Sequence, residues 1–326
     1  MERIKSYDVF KGLCMFFVIL SHNTGSWFWS SIYTPFFLSG FFFISGFFFF
    51  NPPKIVPIYQ KVVNIITSLL VPYLIYVFLT TAILSVLAKD WFFLPKYINV
   101  ILSGTKSWFI SVLILTELCA CIIYNQLKRE EWAWFVGAFI IISLIIYFVL
   151  PKENVLPWYY NVCFLANAYF GVGIIAGKNK DKVIPFIFSK KVGFVSLLIF
   201  IILIILDMTF FHQKGGFNTY FSNYPLFFIE SFFGIVSVLF ISHNWLSNFS
   251  FLSFIGQYSL LYYLLQYRFN EGATTLFNYL GIGKDLIFSG LFKAILVIMV
   301  MTPIIWLIGK YVPIMSGKYR INVSRR

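Results

Sequence analysis

Asp8, Lys11 and His22 fall within one apolar run, YDVFKGLCMFFVILSHN. These are the residue types from which proton-transfer chemistry is built. An imidazole takes up protons near neutral pH, and a carboxylate or ammonium beside it can orient it or stabilise charge. Lys11 and His22 stand eleven positions apart. At about 100° per residue, that spacing turns a helix about 20° beyond three full turns. Both side chains then share one face, roughly 16 Å apart along the axis. Asp8 and Lys11 are three apart, neighbours on a helix surface that can pair. A lone histidine with such helpers suits deprotonation of a hydroxyl whose acyl donor arrives already activated. The same residues also fit a plainer description. Asp8 and Lys11 would then snorkel to an interface, and His22 would bond to a backbone carbonyl inside a packed core.

Further polar groups sit deep in apolar runs: Glu117, Glu230, Arg268 and Lys293. Ionisable residues at such depth are costly and tend to mark pathways or sites. Glu117 is expected near mid-depth, facing a cationic partner or a wet cavity, with Arg268 and Lys293 both eligible as that partner. Asp207, His212 and His243 border the ends of runs, where a loop role is expected. The four cysteines, Cys14, Cys119, Cys121 and Cys163, are read as small packing residues. No G-x-x-x-x-G-K-[ST] or G-x-S-x-G motif is present, which argues against a nucleotide-driven pump or a serine nucleophile. Three dispersed histidines and no Cys/His cluster make a poor metal ligand set, so no metal is expected.

The elements that must hold these residues are set by composition. Of 326 residues, 60% are hydrophobic and 11% charged, and mean hydropathy is +0.84. A soluble domain carries about 25% charged residues, so too little polar surface exists to cover a water-soluble globule. The runs are continuous rather than alternating, which favours helices over strands in lipid. Windows of about 20 residues give ten spans at roughly 7–26, 32–50, 63–88, 107–125, 132–150, 158–177, 192–211, 225–243, 251–270 and 286–309. The expected fold is an all-α integral membrane protein, a single bundle of about ten transmembrane helices forming one domain over 1–326. Between spans lie turns such as Asn51-Pro52-Pro53, Pro151-Lys152-Glu153-Asn154 and Lys214-Gly215-Gly216.

The net charge of +13 would suggest nucleic acid in a soluble protein. Here the positions decide. Arg3, Lys5, Lys54, Lys61, Lys128, Arg129, the lysines between 178 and 191 and the basic carboxy tail all fall on the amino terminus and alternate connections. The opposite connections carry scattered single lysines. Positive charge marks the cytoplasmic side, so both termini are expected in the cytoplasm and no nucleic-acid partner is implied. In FFLSGFFFISGFFFF, the small residues Ser39, Gly40, Ser45 and Gly46 allow either close helix approach or a ligand path.

Several segments together resemble the membrane-bound acyltransferase 3 family. RIKSYDVFKGLCMFFVILSH is similar to the family's opening, with Arg3, Asp8 and a Lys-x10-His element at Lys11 and His22. YTPFFLSGFFFISGFFF resembles its second span, ending in Ser45-Gly46-Phe47. SWFISVLIL resembles its Trp-Phe motif at Trp108 and Phe109, and FGVGIIAGK and IGQYSLLYYLLQ are similar to later segments. The short form looks closest to sugar O-acetylases, including fucose 4-O-acetylase-like members. One departure is Gln266, where many relatives carry a histidine.

The resemblance implies an enzyme, an acyl-CoA-dependent O-acetyltransferase. It would move acetyl from cytoplasmic acetyl-CoA to a hydroxyl of a cell-surface or lipid-linked glycan, in a bacterial plasma membrane. His22 is then the base, with Lys11 and Asp8 completing the catalytic set and Asp8 positioning Lys11. Arg3, Lys11, Ser45 and Gly46 would receive the donor. Trp108, Glu117, Gln266, Arg268 and Lys293 would line the acceptor site or a pore. Acetyl-CoA is the donor and no cofactor is permanently bound. A competing reading, from the same intramembrane polar residues, is a transporter or exporter of a glycan or lipid-linked saccharide.

Overall fold

The computed structural model describes residues 5–50, 56–89, 93–151, 156–282 and 287–318. Fifteen α-helices follow in chain order among the described residues. The first eight are α1 (Lys5–Ser21), α2 (Trp27–Tyr33), α3 (Phe37–Phe49), α4 (Ile58–Ile65), α5 (Val71–Leu87), α6 (Phe93–Ser103), α7 (Trp108–Ala120) and α8 (Trp132–Val149). Then come α9 (Tyr160–Lys178), α10 (Lys180–Phe188), α11 (Lys190–Leu206), α12 (Tyr224–Asn244), α13 (Ser250–Gln257), α14 (Ser259–Tyr279) and α15 (Ile287–Tyr311). Among the described residues there is no strand, and a single antiparallel bridge joins Gly215 to Phe221. The protein is an all-α integral membrane protein.

Seven helical stretches among the described residues are long and apolar enough to cross a bilayer, or eight if α6 and α7, bent by 52°, make one span. α1 has 17 residues, just short of that measure, and α14 carries Arg268 and Glu271 in its 21 residues. Three expected boundaries are corrected. The first span, read as 7–26, ends at Ser21. Its last carbonyls are taken by local side chains: Ser21 Oγ donates to Val18 O at 2.7 Å and Asn23 Nδ2 to Ile19 O at 2.8 Å. Such bonds compete with helix continuation. The fourth, read as 107–125, stops as an α-helix at Ala120. The ninth, read as 251–270, is two helices broken at Tyr258. Between α4 and α5 the turn Ile66–Leu70 widens to a π-helix just ahead of Pro72, whose missing N–H would interrupt an α-helical ladder.

The chain divides into two compact units. One comprises 1–44 and 179–307, the other 45–178 and 308–326. In the first unit α1 is the inner helix, with Val9, Phe10, Cys14, Met15, Val18, Ile19 and Leu20 buried. It crosses α13 backbone on backbone. A Cβ at Gly12 would run into the Leu252 carbonyl, and one at Gly256 into the Asp8 carbonyl. Without a hydrophobic force between helices in lipid, such close approach by small residues is what holds them. On α3, a Cβ at Gly40 would lie 2.8 Å from the Phe10 ring.

In the second unit α9 is the inner helix and α8 faces lipid. Only 17% of α8's apolar window is buried, against 78% of the window containing α9. Gly46 and Gly177 place the end of α3 against α9, since a Cβ at either would strike the carbonyl of Phe170 or Phe47 respectively. Asn167 Nδ2 donates to Ser143 Oγ at 3.3 Å, tying α9 to α8.

Candidate functional site

At the amino-terminal end of α1 lies a polar collar. Asp8 is 5% exposed, and its carboxylate meets Lys11 Nζ at 3.3 Å, so the expected pair forms. The crossing at Gly256 fixes it, because the Asp8 backbone is clamped there. Lys5 donates to Asn248 O and Ser250 Oγ at 3.3 and 3.2 Å, fastening the start of α1 to the α12–α13 connection. His243 Nδ1 lies 3.5 Å from Ser6 Oγ, and its ring stacks on Phe188 at 3.9 Å. Arg3, the other basic residue expected here, lies outside the described residues.

His22 occupies the far end of α1, one residue past the helix, where its N–H reaches back to Ile19 O at 3.3 Å. Its side chain is exposed rather than buried in a core. The face between Lys11 and His22 is not an aqueous stripe. Met15 and Val18, which lie along it, are 1% and 2% exposed. The half-buried residues of α1 between its ends are instead Leu13, Phe16 and Phe17, on roughly the opposite side at 100° per residue.

Beside His22 the structure gathers polar groups that spacing alone did not single out. Asn23 Nδ2 donates to Asn270 Oδ1 at 2.8 Å, joining the end of α1 to α14. Asn270 and Gln266 are four apart on α14 and share a face. Both are buried, and Gln266 Oε1 has no hydrogen-bond partner. Ala273 and Phe277 continue the stripe. Lys293, from α15, is 5% exposed, with its ammonium 5.4 Å from the Phe277 ring centre. No carboxylate pairs with it among the described residues. Thr24 packs on α15 at Gly290, where a Cβ would come within 2.5 Å of its Cβ. Gln266 and Lys293, both expected at the acceptor, therefore fall on the stripe that Asn270 ties to the residue after His22.

Arg268 does not belong to this stripe. It pairs with Glu271 at 2.8 Å, both side chains well exposed. It borders an apolar groove of about 260 Å³ lined by Ala273, Leu276, Leu296 and Val300.

The remaining expected residues lie in the second unit. Glu117 is half-buried in the last turn of α7. In the same unit Lys61 of α4 holds its ammonium 4.1 Å from the Phe49 ring centre. Trp108, at the opposite end of α7, packs against Phe109 and Tyr159. Ser45 is half-buried. At Gly46 the space is taken by the Phe170 carbonyl, so of the two uses open to this small residue the structure shows helix approach. Cys163 lies 3.7 Å from Thr116 Oγ1 and 3.8 Å from Asn167 Oδ1. Among the described residues no group of three or more His, Cys, Asp or Glu could hold a metal ion.

An acid–lysine pair at one end of α1 and an exposed imidazole beside a buried polar stripe at the other can bind an anion and take a proton. A family model described as an acyltransferase domain matches residues 4–310 of the chain. No curated protein and no solved structure matches it.

Proposed function

The chain belongs to the acyltransferase 3 family and is a membrane acyltransferase, and on that premise we propose that it moves an acetyl group from acetyl-CoA to a hydroxyl of a cell-surface or lipid-linked glycan. His22 is the general base. It takes the proton of the acceptor hydroxyl as that oxygen attacks the thioester carbonyl. The tetrahedral adduct collapses, the CoA thiolate leaves, and the proton returns to it. The thioester supplies the activation, so neither a metal nor a covalent enzyme intermediate is required.

The observation that carries this reading is the position of His22. Its imidazole is exposed, next in sequence to the Asn23–Asn270 bond that anchors the stripe of Gln266 and Lys293. Unsatisfied buried polar groups such as Gln266 Oε1 are costly unless a ligand meets them, and a sugar offers hydroxyls for that purpose. Lys293 would stabilise charge developing on the thioester oxygen. Lys11, held by Asp8, offers positive charge to the phosphates of the donor at the end of α1 expected in the cytoplasm. The membrane concerned would be a bacterial plasma membrane.

The test is mass spectrometry of surface glycans from cells with and without the protein, followed by the His22→Ala variant purified in nanodiscs. Loss of the acetyl mass increment in both, with His22→Ala still folded, is expected. Full transfer by His22→Ala would remove the proposed base. Movement of a glycan across proteoliposomes with no acetyl donor present would point to transport instead.

A further inference from the structure

In the first unit, α10 and the first turn of α11 carry Lys180, Lys182, Lys190 and Lys191 against one acid, Asp181. None of the four lysines makes an ion pair among the described residues. Lys182, Lys190 and Lys191 are exposed. α10 buries none of its nine residues, and Phe186, four on from Lys182, is 62% exposed. Residues four apart share a helix face, so a large ring and an ammonium stand together on an uncovered surface. The level of that surface is set by α11. Four residues after Lys190 and Lys191 come Phe194 and Val195, and Leu198, Ile201 and Ile205 follow, all exposed. Only 17% of the apolar window of α11 is buried, so this is a lipid-facing row that ends in two ammonium groups. They stand at headgroup level, and α10 leads straight into them through Ser189.

We infer that α10 and the start of α11 dock on the headgroups of anionic phospholipid, with Phe186 set among the acyl chains below them. Lysines beside a membrane surface gain from its negative charge, and an aromatic ring on the same short helix gains from the headgroup–acyl boundary. The positive-inside rule accounts for lysines near a span, yet it asks nothing of Phe186. An acidic protein or a nucleic acid would satisfy the charge and leave that ring in water; a lipid surface takes both. The far end of α10 is already fixed. The Phe188 ring stacks on His243 at 3.9 Å and lies 6.1 Å from the Tyr7 ring, and its carbonyl accepts from Asn244 Nδ2 at 3.2 Å. His243 in turn stands 3.5 Å from Ser6 Oγ. Lipid held by α10 therefore steadies the collar at the start of α1, where Asp8 and Lys11 pair.

The experiment uses the full-length protein in dodecyl maltoside, titrated with dioleoyl phosphatidylglycerol or dioleoyl phosphatidylcholine. Retained lipid is read by native mass spectrometry and thermal unfolding is followed in parallel, so neither readout depends on acyl transfer. Phosphatidylglycerol should be retained at least tenfold better and raise the midpoint, and added salt should weaken both effects. Replacing all four lysines by Gln should bring phosphatidylglycerol down to the level of phosphatidylcholine. The pairs Lys180→Gln/Lys182→Gln and Lys190→Gln/Lys191→Gln, made separately, should each lose part of the preference. Phe186→Ser should lower retention of both lipids, while Lys214→Gln, at a distant turn, should change neither. Equal retention of the two lipids by the wild type overturns the inference, as does a preference that survives in the lysine variants. The same midpoint rise with sn-glycerol 3-phosphate would make free phosphate the ligand and reject docking on a membrane. In nanodiscs, acyl transfer should fall at least threefold when phosphatidylglycerol is left out, and transfer indifferent to it would reject the link to the collar.

Discussion

Gly256→Ala should loosen the end of α1 that holds Asp8 and Lys11. A Cβ at 256 collides with the Asp8 carbonyl oxygen and comes within 2.8 Å of both its carbon and the Gly12 nitrogen. All three are backbone atoms, so no rotamer change relieves the overlap and the two helices must separate. Overpacking of this kind costs about 1–3 kcal/mol, and backbone against backbone belongs at the upper end. Alanine returns about 1 kcal/mol of helix propensity. The net loss is then about 2 kcal/mol, near a 30-fold change in the folded-to-unfolded ratio. The assay is denaturant unfolding of the protein in mixed micelles, with acyl transfer measured in the same preparation. Transfer should fall further than stability, because Asp8 is clamped at that crossing and Lys11 is held only 3.3 Å from it. Gly137→Ala on α8 is the control, since nothing lies within 4 Å of its Cβ position, and it should be neutral or slightly stabilising. Equal behaviour of the two variants would refute the backbone crossing and the positioning argument built on it.

Lys11→Ala should cost about 1–3 kcal/mol by taking from the buried Asp8 carboxylate the ammonium 3.3 Å away. Adding Asp8→Asn should restore most of that stability without restoring activity, as unfolding and transfer assays run together would show. Gln266→Leu removes a buried acceptor that has no partner, so it should hold or raise stability while increasing KM for the acceptor. An unchanged KM would detach Gln266 from the site. Lys293→Met should likewise be tolerated by the fold, since the ammonium faces only an aromatic ring among the described residues. Its effect should appear in kcat, read under saturating donor and acceptor.

The helical, membrane-embedded character of the chain and the identities of its chemically capable residues were open to sequence reasoning, because hydropathy and depth cost act residue by residue. Breaks inside apolar runs were not. The helix turns at Tyr258 with no Pro there, and hydropathy is equally satisfied on either side. Pairing was equally hidden. Arg268, which the sequence left open as a partner of Glu117, meets Glu271 three residues on. Asn270 and Asn23 meet across 247 positions, a separation no local spacing rule covers. The helical wheel could not show that α1 stops at Ser21, one residue before His22, or that Met15 and Val18 are buried between Lys11 and His22, since burial depends on neighbours contributed by distant helices.

The glycine crossing also bears on when the enzyme becomes competent during its manufacture. Lys5 fastens to Asn248 and Ser250, 243 and 245 positions downstream, and Gly12 has no seat until Leu252 exists. At about 5–20 residues per second on the ribosome, the first helix waits on the order of 10–50 s for the segment that sets its depth and rotation. A nascent chain interrupted before that segment holds every residue of the opening motif, yet it cannot fix the motif in register, so abandoned translation products would be inert.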